Sequence, residues 1–260
     1  MKKQLLLLAL TLMIAIVSCK KEKPAPETVV TPTPPIAVSS TYKTLLVEYT
    51  ATWCSPCGSY GYDNFKDAYD KNPGKVVGIS MHANDAVSSG FSYAQDAMEK
   101  NWSFNATPMC AINNIRHSAS GLQTEIDNAI NSNPKAKAGI GIEWSVSGTT
   151  ITINTRTVFF QSLTGEYNLG IYLVENGVMA YQTSHTPSFI VHDRILRDSP
   201  TSGGFGEKIV LNPSSEQSIN KSYSYAFTAE VYNPSNLKVV AVIWKMSGNS
   251  PVEIINANEK

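Results

Sequence analysis

Trp53-Cys54-Ser55-Pro56-Cys57 places two cysteines three residues apart, where an apolar β-type run ends and a helical pattern begins. Few features restrict a chain more, because both thiols must then share one strand-to-helix turn. Around them the pattern agrees. Leu45-Leu46-Val47-Glu48-Tyr49 reads as a buried strand, Ser59 to Lys71 as a helix, and Lys75 to Met81 as a second strand. That is a βαβ unit, hence a parallel pair. A helix is predicted from Tyr93 to Asn101. A Thr107-Pro108 step then opens a short strand over Met109 to Ile112, and a helix spans Ser118 to Ser132.

At a helix N-terminus, unpaired backbone N–H groups and the helix dipole favour an anion, so the first thiol of such a pair ionises more readily than a free cysteine. Cys54 is the expected nucleophile. It would attack a substrate disulfide, and Cys57, one turn along, would resolve the mixed disulfide. An inert structural disulfide and a pair of metal ligands are the alternatives. Right-handed crossover brings Met81-His82-Ala83-Asn84-Asp85 to the same sheet edge as Cys54, so His82 could tune the thiolate. Cys54, Cys57, Cys110 and His82 would make a thiolate-rich set suited to zinc or Cu(I). No metal or cofactor is expected, since the motif context already accounts for two of the four.

From Ala138 onward, period-two alternation replaces the helical one: Ile140, Ile142, Trp144 and Val146, then Ile151, Ile153 and Thr155 after a Ser147-Gly148 turn. Further strands are predicted near 169–174, 222–229 and 237–246. The expected architecture is an α/β domain over 41–135 followed by an antiparallel β-sandwich over 136–260.

The N-terminus reads as an address. Lys2 and Lys3 precede an apolar run from Leu5 to Val17, too short at roughly 20 Å of helix to cross a hydrocarbon core of about 30 Å. Residues 1–18 are the expected signal peptide. Ile16-Val17-Ser18-Cys19 resembles the lipobox of bacterial lipoproteins, which implies acyl chains on Cys19. Lys20 follows it, where inner-membrane lipoproteins often carry Asp, so the outer membrane is expected, at its periplasmic face or at the cell surface. The rest of 19–40 holds five prolines and reads as a tether.

Residues 42–133 resemble a thioredoxin-fold domain, with the WCxPC motif carried by Trp53, Cys54, Pro56 and Cys57. The resemblance puts Thr107-Pro108 at the family's cis-proline and Glu48 at its buried acid, a general base toward Cys57. Cys110 departs from the family pattern, and is either a third redox thiol or an ordinary small buried residue. The order lipobox, proline tether, VEYTATWCSPC, ISMHAND, ATPMCAIN and a β-rich tail with His192, Asp193 and Arg197 is similar to the outer-membrane protein 28 family. That implies an outer-membrane lipoprotein whose β-domain is sometimes thought to be an adhesin. For those three tail residues, a loop-fixing hydrogen-bond cluster is expected.

Composition excludes some functions. Lys plus Arg and Asp plus Glu both total 21, with no like-charge block to grip nucleic acid. Two functions remain. One is a membrane-anchored thiol–disulfide oxidoreductase of the cell envelope acting on protein thiols and disulfides. The other is a surface binding lipoprotein that engages an envelope or host protein through the β-domain.

Overall fold

Val239-Val240-Ala241-Val242-Ile243-Trp244 is an unbroken apolar run, a pattern that requires cover on both faces of a strand. In the computed structural model, which describes residues 35–88, 92–227 and 233–260, all six are fully buried. The expected signal peptide, Cys19 and the tether up to residue 34 lie outside the described residues. In chain order the elements are β1 (Thr44–Thr50), α1 (Tyr62–Asp70), β2 (Val76–His82), α2 (Tyr93–Trp102), β3 (Met109–Ile112), β4 (Ile115–Ser118) and α3 (Leu122–Asn131). There follow β5 (Ala138–Ser147), β6 (Thr150–Phe159), β7 (Glu166–Glu175), β8 (Val178–Tyr181), β9 (Phe189–His192), β10 (Ile195–Asp198), β11 (Glu207–Leu211), β12 (Ser218–Ala226), β13 (Leu237–Ser247) and β14 (Ser250–Glu259).

One mixed sheet runs through both halves of the chain, in the order β14-β13-β7-β10-β2-β1-β3-β4, with β11 on β7. β1 and β2 are parallel, as the βαβ reading requires. The other edge of β2 does not end the sheet: β10, more than a hundred residues later, lies parallel to it with Ile195 opposite Ser80. β7 and β13 then follow antiparallel. Alternation along β13 explains the apolar run. Val240, Val242 and Trp244 pack with Val47, Ile79 and Trp102 from the first half, while Val239, Ala241 and Ile243 pack with Ile140 and Ile153 of β5 and β6.

This corrects the expected fold class. A thioredoxin-like α/β domain followed by a separate β-sandwich would have two cores, each closed within its own half. Instead the chain is mostly β and residues 35–260 form one unit. Its first core mixes residues from β1, β2, α2, β7 and β13, because the sheet edge at β2 pairs with β10. β5, β6 and β12 form a three-stranded sheet that faces the back of the mixed sheet, not a partner of its own. Two local boundaries also differ. β4 ends on Ser118, the first residue of the expected 118–132 helix, which starts only at Leu122, since Asn113, at φ +54°, turns β3 back on itself. Residues 36–40 lie along β5, where Gly139 and Gly141 leave room for their backbone.

The junction of the halves is also held by charge. Arg197 of β10 donates to Glu175 of β7 through Nε (2.7 Å) and Nη2 (2.6 Å), and to the Val87 carbonyl at 2.5 Å. The other Glu175 oxygen accepts from the Asn233 amide at 2.7 Å. Both side chains are buried, so Arg197→Ala leaves a carboxylate with its cation gone and should cost about 3–5 kcal/mol. Guanidinium denaturation checks this; an unchanged midpoint would show that the junction does not depend on the pair.

Candidate functional site

β1 ends at Thr50, and the turn Ala51–Trp53 delivers Cys54 to the start of a helix. Cys57–Gly61 winds as a π-helical turn before α1 continues. Such turns widen the helix locally and recur at functional sites. Cys54 and Cys57 are joined as a disulfide. The Cys57 amide donates to Cys54 Sγ at 3.1 Å, and the Gly58 amide to the Cys54 carbonyl at 3.3 Å. One helix-start amide, that of Cys57, is thus aimed at the first sulfur, the placement that would favour its anion once the pair is reduced. Trp53 is 59% exposed, and Pro56 also faces solvent. The Thr107-Pro108 bond is cis, and a Cβ on Gly61 would stand 2.9 Å from Pro108 Cβ, so this proline lies directly against the helix that carries Cys57.

Glu48 is buried in the middle of β1, with Ser80 opposite it on β2. Ser80 Oγ donates to Glu48 Oε2 at 3.1 Å, while Oε1 has no hydrogen-bond partner among the described residues. Burial pushes its carboxyl up to about 8, against the smaller opposing effect of the Ser80 hydrogen bond. With Tyr62 and Phe65 of α1, Glu48 lines a small cavity, so the acid faces the helix of the cysteine pair.

Cys110 does not join that pair. It lies opposite Glu48 on β3, fully buried among Leu46, Phe65 and Ile112, whereas Cys54 and Cys57 pack with Ala51. Burial first, and the Glu48 charge second, hold its thiol well above the ordinary range. The four-member set of Cys54, Cys57, Cys110 and His82 is therefore not assembled.

His82 does come out beside the turn, as the crossover argument expects. Its Nδ1 lies 2.7 Å from Asp85 Oδ2, which also accepts from the Thr52 amide at 2.7 Å. Burial alone would raise the Asp85 carboxyl, but His82 together with the Thr52 and Val87 amides holds it well below the carboxylate range. The His82 ring meets His192 edge-on, centroids 5.2 Å apart, and His192 in turn meets Tyr62 at 5.9 Å. Burial, then the His82 charge, press His192 down to about 4. His192, Asp193 and Arg197 do not form the one cluster expected of them: Asp193 accepts from the Gly177 amide at 2.8 Å, and Arg197 serves Glu175.

The residues that sequence reasoning missed come from the loop joining β8 and β9. Gln182 Nε2 donates to the Ala51 carbonyl at 3.3 Å and to the Cys54 carbonyl at 3.2 Å. The Thr183 amide donates to the Thr52 carbonyl at 2.8 Å. Ser184 Oγ lies 2.7 Å from Ser55 Oγ, inside the motif itself. They lie some 130 positions from the cysteines, with no local pattern to announce them.

A family model described as "Outer membrane protein Omp28" matches residues 95–260. No curated protein matches the chain. Among solved structures, HBP35 of Porphyromonas gingivalis superposes with a TM-score of 0.70 at 16% identity, over 85% of this chain and 76% of that one. That likeness concerns the fold, and it spans both halves of the chain. The solution structure of R. palustris CsgH (TM-score 0.21, 11% identity, 44% of this chain and 86% of that one) carries no argument. Neither does a β-glucosidase from Kluyveromyces marxianus (0.25, 11%, 48% and 14%). Since the matched segment takes in most of the chain, from α2 through every later strand, this chain belongs to the Omp28 family of outer membrane proteins.

Proposed function

We propose that the chain is a thiol–disulfide exchange protein held at the outer membrane by acyl chains on Cys19, with Cys54 and Cys57 as its redox pair. The observation that carries this reading is the disulfide at a helix start, with the Cys57 amide aimed at Cys54 Sγ. A substrate thiolate attacks Cys54 Sγ, the Sγ–Sγ bond breaks, and Cys57 leaves as a thiolate. Glu48, protonated up to about pH 8, is the buried acid that supplies the proton to Cys57. A second substrate thiolate then attacks the substrate sulfur of the mixed disulfide and releases Cys54. Two electrons pass to the pair, and the substrate leaves as a disulfide. In reverse, the reduced pair reduces a substrate disulfide, with Cys54 attacking and Cys57 resolving. Trp53 and Pro56 flank the reacting cysteines in the chain, the cis Thr107-Pro108 step packs against Gly61 of the same helix, and Cys110 and His82 take no step.

A second reading, binding of a partner protein at the surface, is favoured by β8 and β9. Their ribbon turns Met179, Tyr181, Phe189 and Val191 outward, at 62%, 51%, 64% and 37% exposure, as one apolar face. Turnover of a peptide disulfide by the purified chain tests the first reading. Serine at both 54 and 57 ends that turnover and leaves partner binding untouched; turnover that persists in the double variant removes the exchange reading. Cutting the chain at 138 would not separate the two, because the first core needs β7 and β13.

A further inference from the structure

Cys54 is only 4% exposed and Cys57 is fully buried. An attacking sulfur has to approach Cys54 Sγ along the line of the Sγ–Sγ bond, from the side away from Cys57. At that exposure a thiol carried on another protein has little room to do so. What stands over the turn is this chain's own loop, Gln182 to Ser188, at the tip of the β8–β9 ribbon.

The loop engages the turn as a bound peptide would. Its Thr183 amide pairs with the Thr52 carbonyl, and the buried Gln182 side chain bridges the Ala51 and Cys54 carbonyls. Gly58 makes the approach possible: a Cβ there would collide with the Thr183 carbonyl and stand 3.0 Å from the His185 amide. His185 meets the Tyr62 ring edge-on at 5.2 Å, and its Nε2 lies 3.6 Å from Asp63 Oδ1. Tyr62 Oη donates to the Val191 carbonyl at 2.9 Å, tying the ribbon to the same helix. Several of these contacts lie at the rim, with Ser55, Ser184 and Asp63 exposed, and the outer face of the ribbon is solvent-facing. The ribbon is also a two-stranded sheet of its own, so lifting it breaks no ladder of the mixed sheet.

We propose that the 182–188 loop is a displaceable cover: an intramolecular occupant of the groove beside Cys54 that keeps the disulfide unreactive until a substrate's extended backbone takes its place. What the opened site does rests on the exchange reading above, whereas the cover itself is read from the disulfide's own accessibility.

The test uses the full chain in its oxidised form. Reduction of Cys54–Cys57 by dithiothreitol is followed by quenching with an alkylating mass tag, with Cys110 as a constant background. Two variants open the groove without touching a cysteine. Gly58→Ala pushes the Thr183 carbonyl away, and a second variant replaces Thr183–Pro187 with an Asn-Gly turn suited to a two-residue hairpin. If access is limited by the fraction of molecules with the loop lifted, each variant is reduced at least about tenfold faster than the parent. Should Gly58→Ala fail to fold, the shortened loop decides. Equal rates in the parent and the shortened-loop chain overturn the cover, whatever the chain does to substrates. Faster reduction with no turnover of a peptide disulfide in any of these proteins leaves the cover standing and removes the exchange reading.

Discussion

Cys57→Ser, once reduced, should become covalently trapped on a peptide disulfide, whereas Cys54→Ser should be joined to nothing. In the first variant the Cys54 thiolate attacks a peptide sulfur, the other peptide sulfur leaves as a thiol, and no second thiol remains to resolve the new bond. In the second, the thiol left from the pair is fully buried one helical turn inside, whereas position 54 is the one that receives the Cys57 amide. Both variants should fall to the uncatalysed rate of exchange. The asymmetry between them separates a working pair from a passive one. Intact-mass analysis after incubation with the peptide reads it directly. Equal trapping by the two variants would mean that Cys54 holds no privileged position, and Cys54→Ser turning over substrate at the parent rate would end the exchange reading.

The second large effect belongs to Glu48. Its carboxyl sits near 8 in the folded chain against 4.5 when unfolded, because burial penalises the charge. The folded chain therefore keeps a proton that the unfolded chain gives up between these two pH values. Stability from this group is full below 4.5 and is lost as pH rises toward 8. Glu48→Gln retains an acceptor for Ser80 and carries no titrating proton. The stability gap between variant and parent should widen in the variant's favour by about 5 kcal/mol from pH 4.5 to 8. His192, pressed down to about 4, acts in the opposite direction as pH falls through the ordinary histidine range, but it is common to both proteins and cancels in the comparison. Urea melts at several pH values check the difference. Parallel stability curves would place Glu48 in contact with water, unable to serve Cys57 as a buried acid. The same substitution should slow thiolate attack on the oxidised pair, since Cys57 departs in that step, and leave attack of the reduced Cys54 on a substrate disulfide intact.

How far the sequence disclosed this molecule follows from the range of the interactions involved. The strand at Leu45–Tyr49, the parallel partner at Val76–Met81 and the cysteine turn between them are local features, written in periodicity and in the motif. His82 and Asp85 could be placed beside the turn because parallel strands end on one edge. The insertion of β10 next to β2 has no such trace. Ile195 pairs with Ser80 across more than a hundred residues, and a four-residue strand carries almost no periodic signal. One hint was present. The unbroken run Val239–Trp244 is unsuited to a strand with one wet face, and a strand covered on both sides belongs in the middle of a layered sheet, not in a self-contained sandwich. Reading it that way would have argued against two separate cores. Gln182, Thr183 and Ser184 could not have been found. They are ordinary polar residues whose role comes entirely from where the β8–β9 ribbon ends.

The reduction potential of Cys54–Cys57 in the full chain, obtained by equilibration against glutathione redox buffers, separates a working pair from a bracing bond. A working exchange pair should balance within the range of catalytic cysteine pairs, about −270 to −120 mV. A value below about −300 mV, typical of disulfides that only brace a fold, would rule out exchange and leave the pair a structural bond.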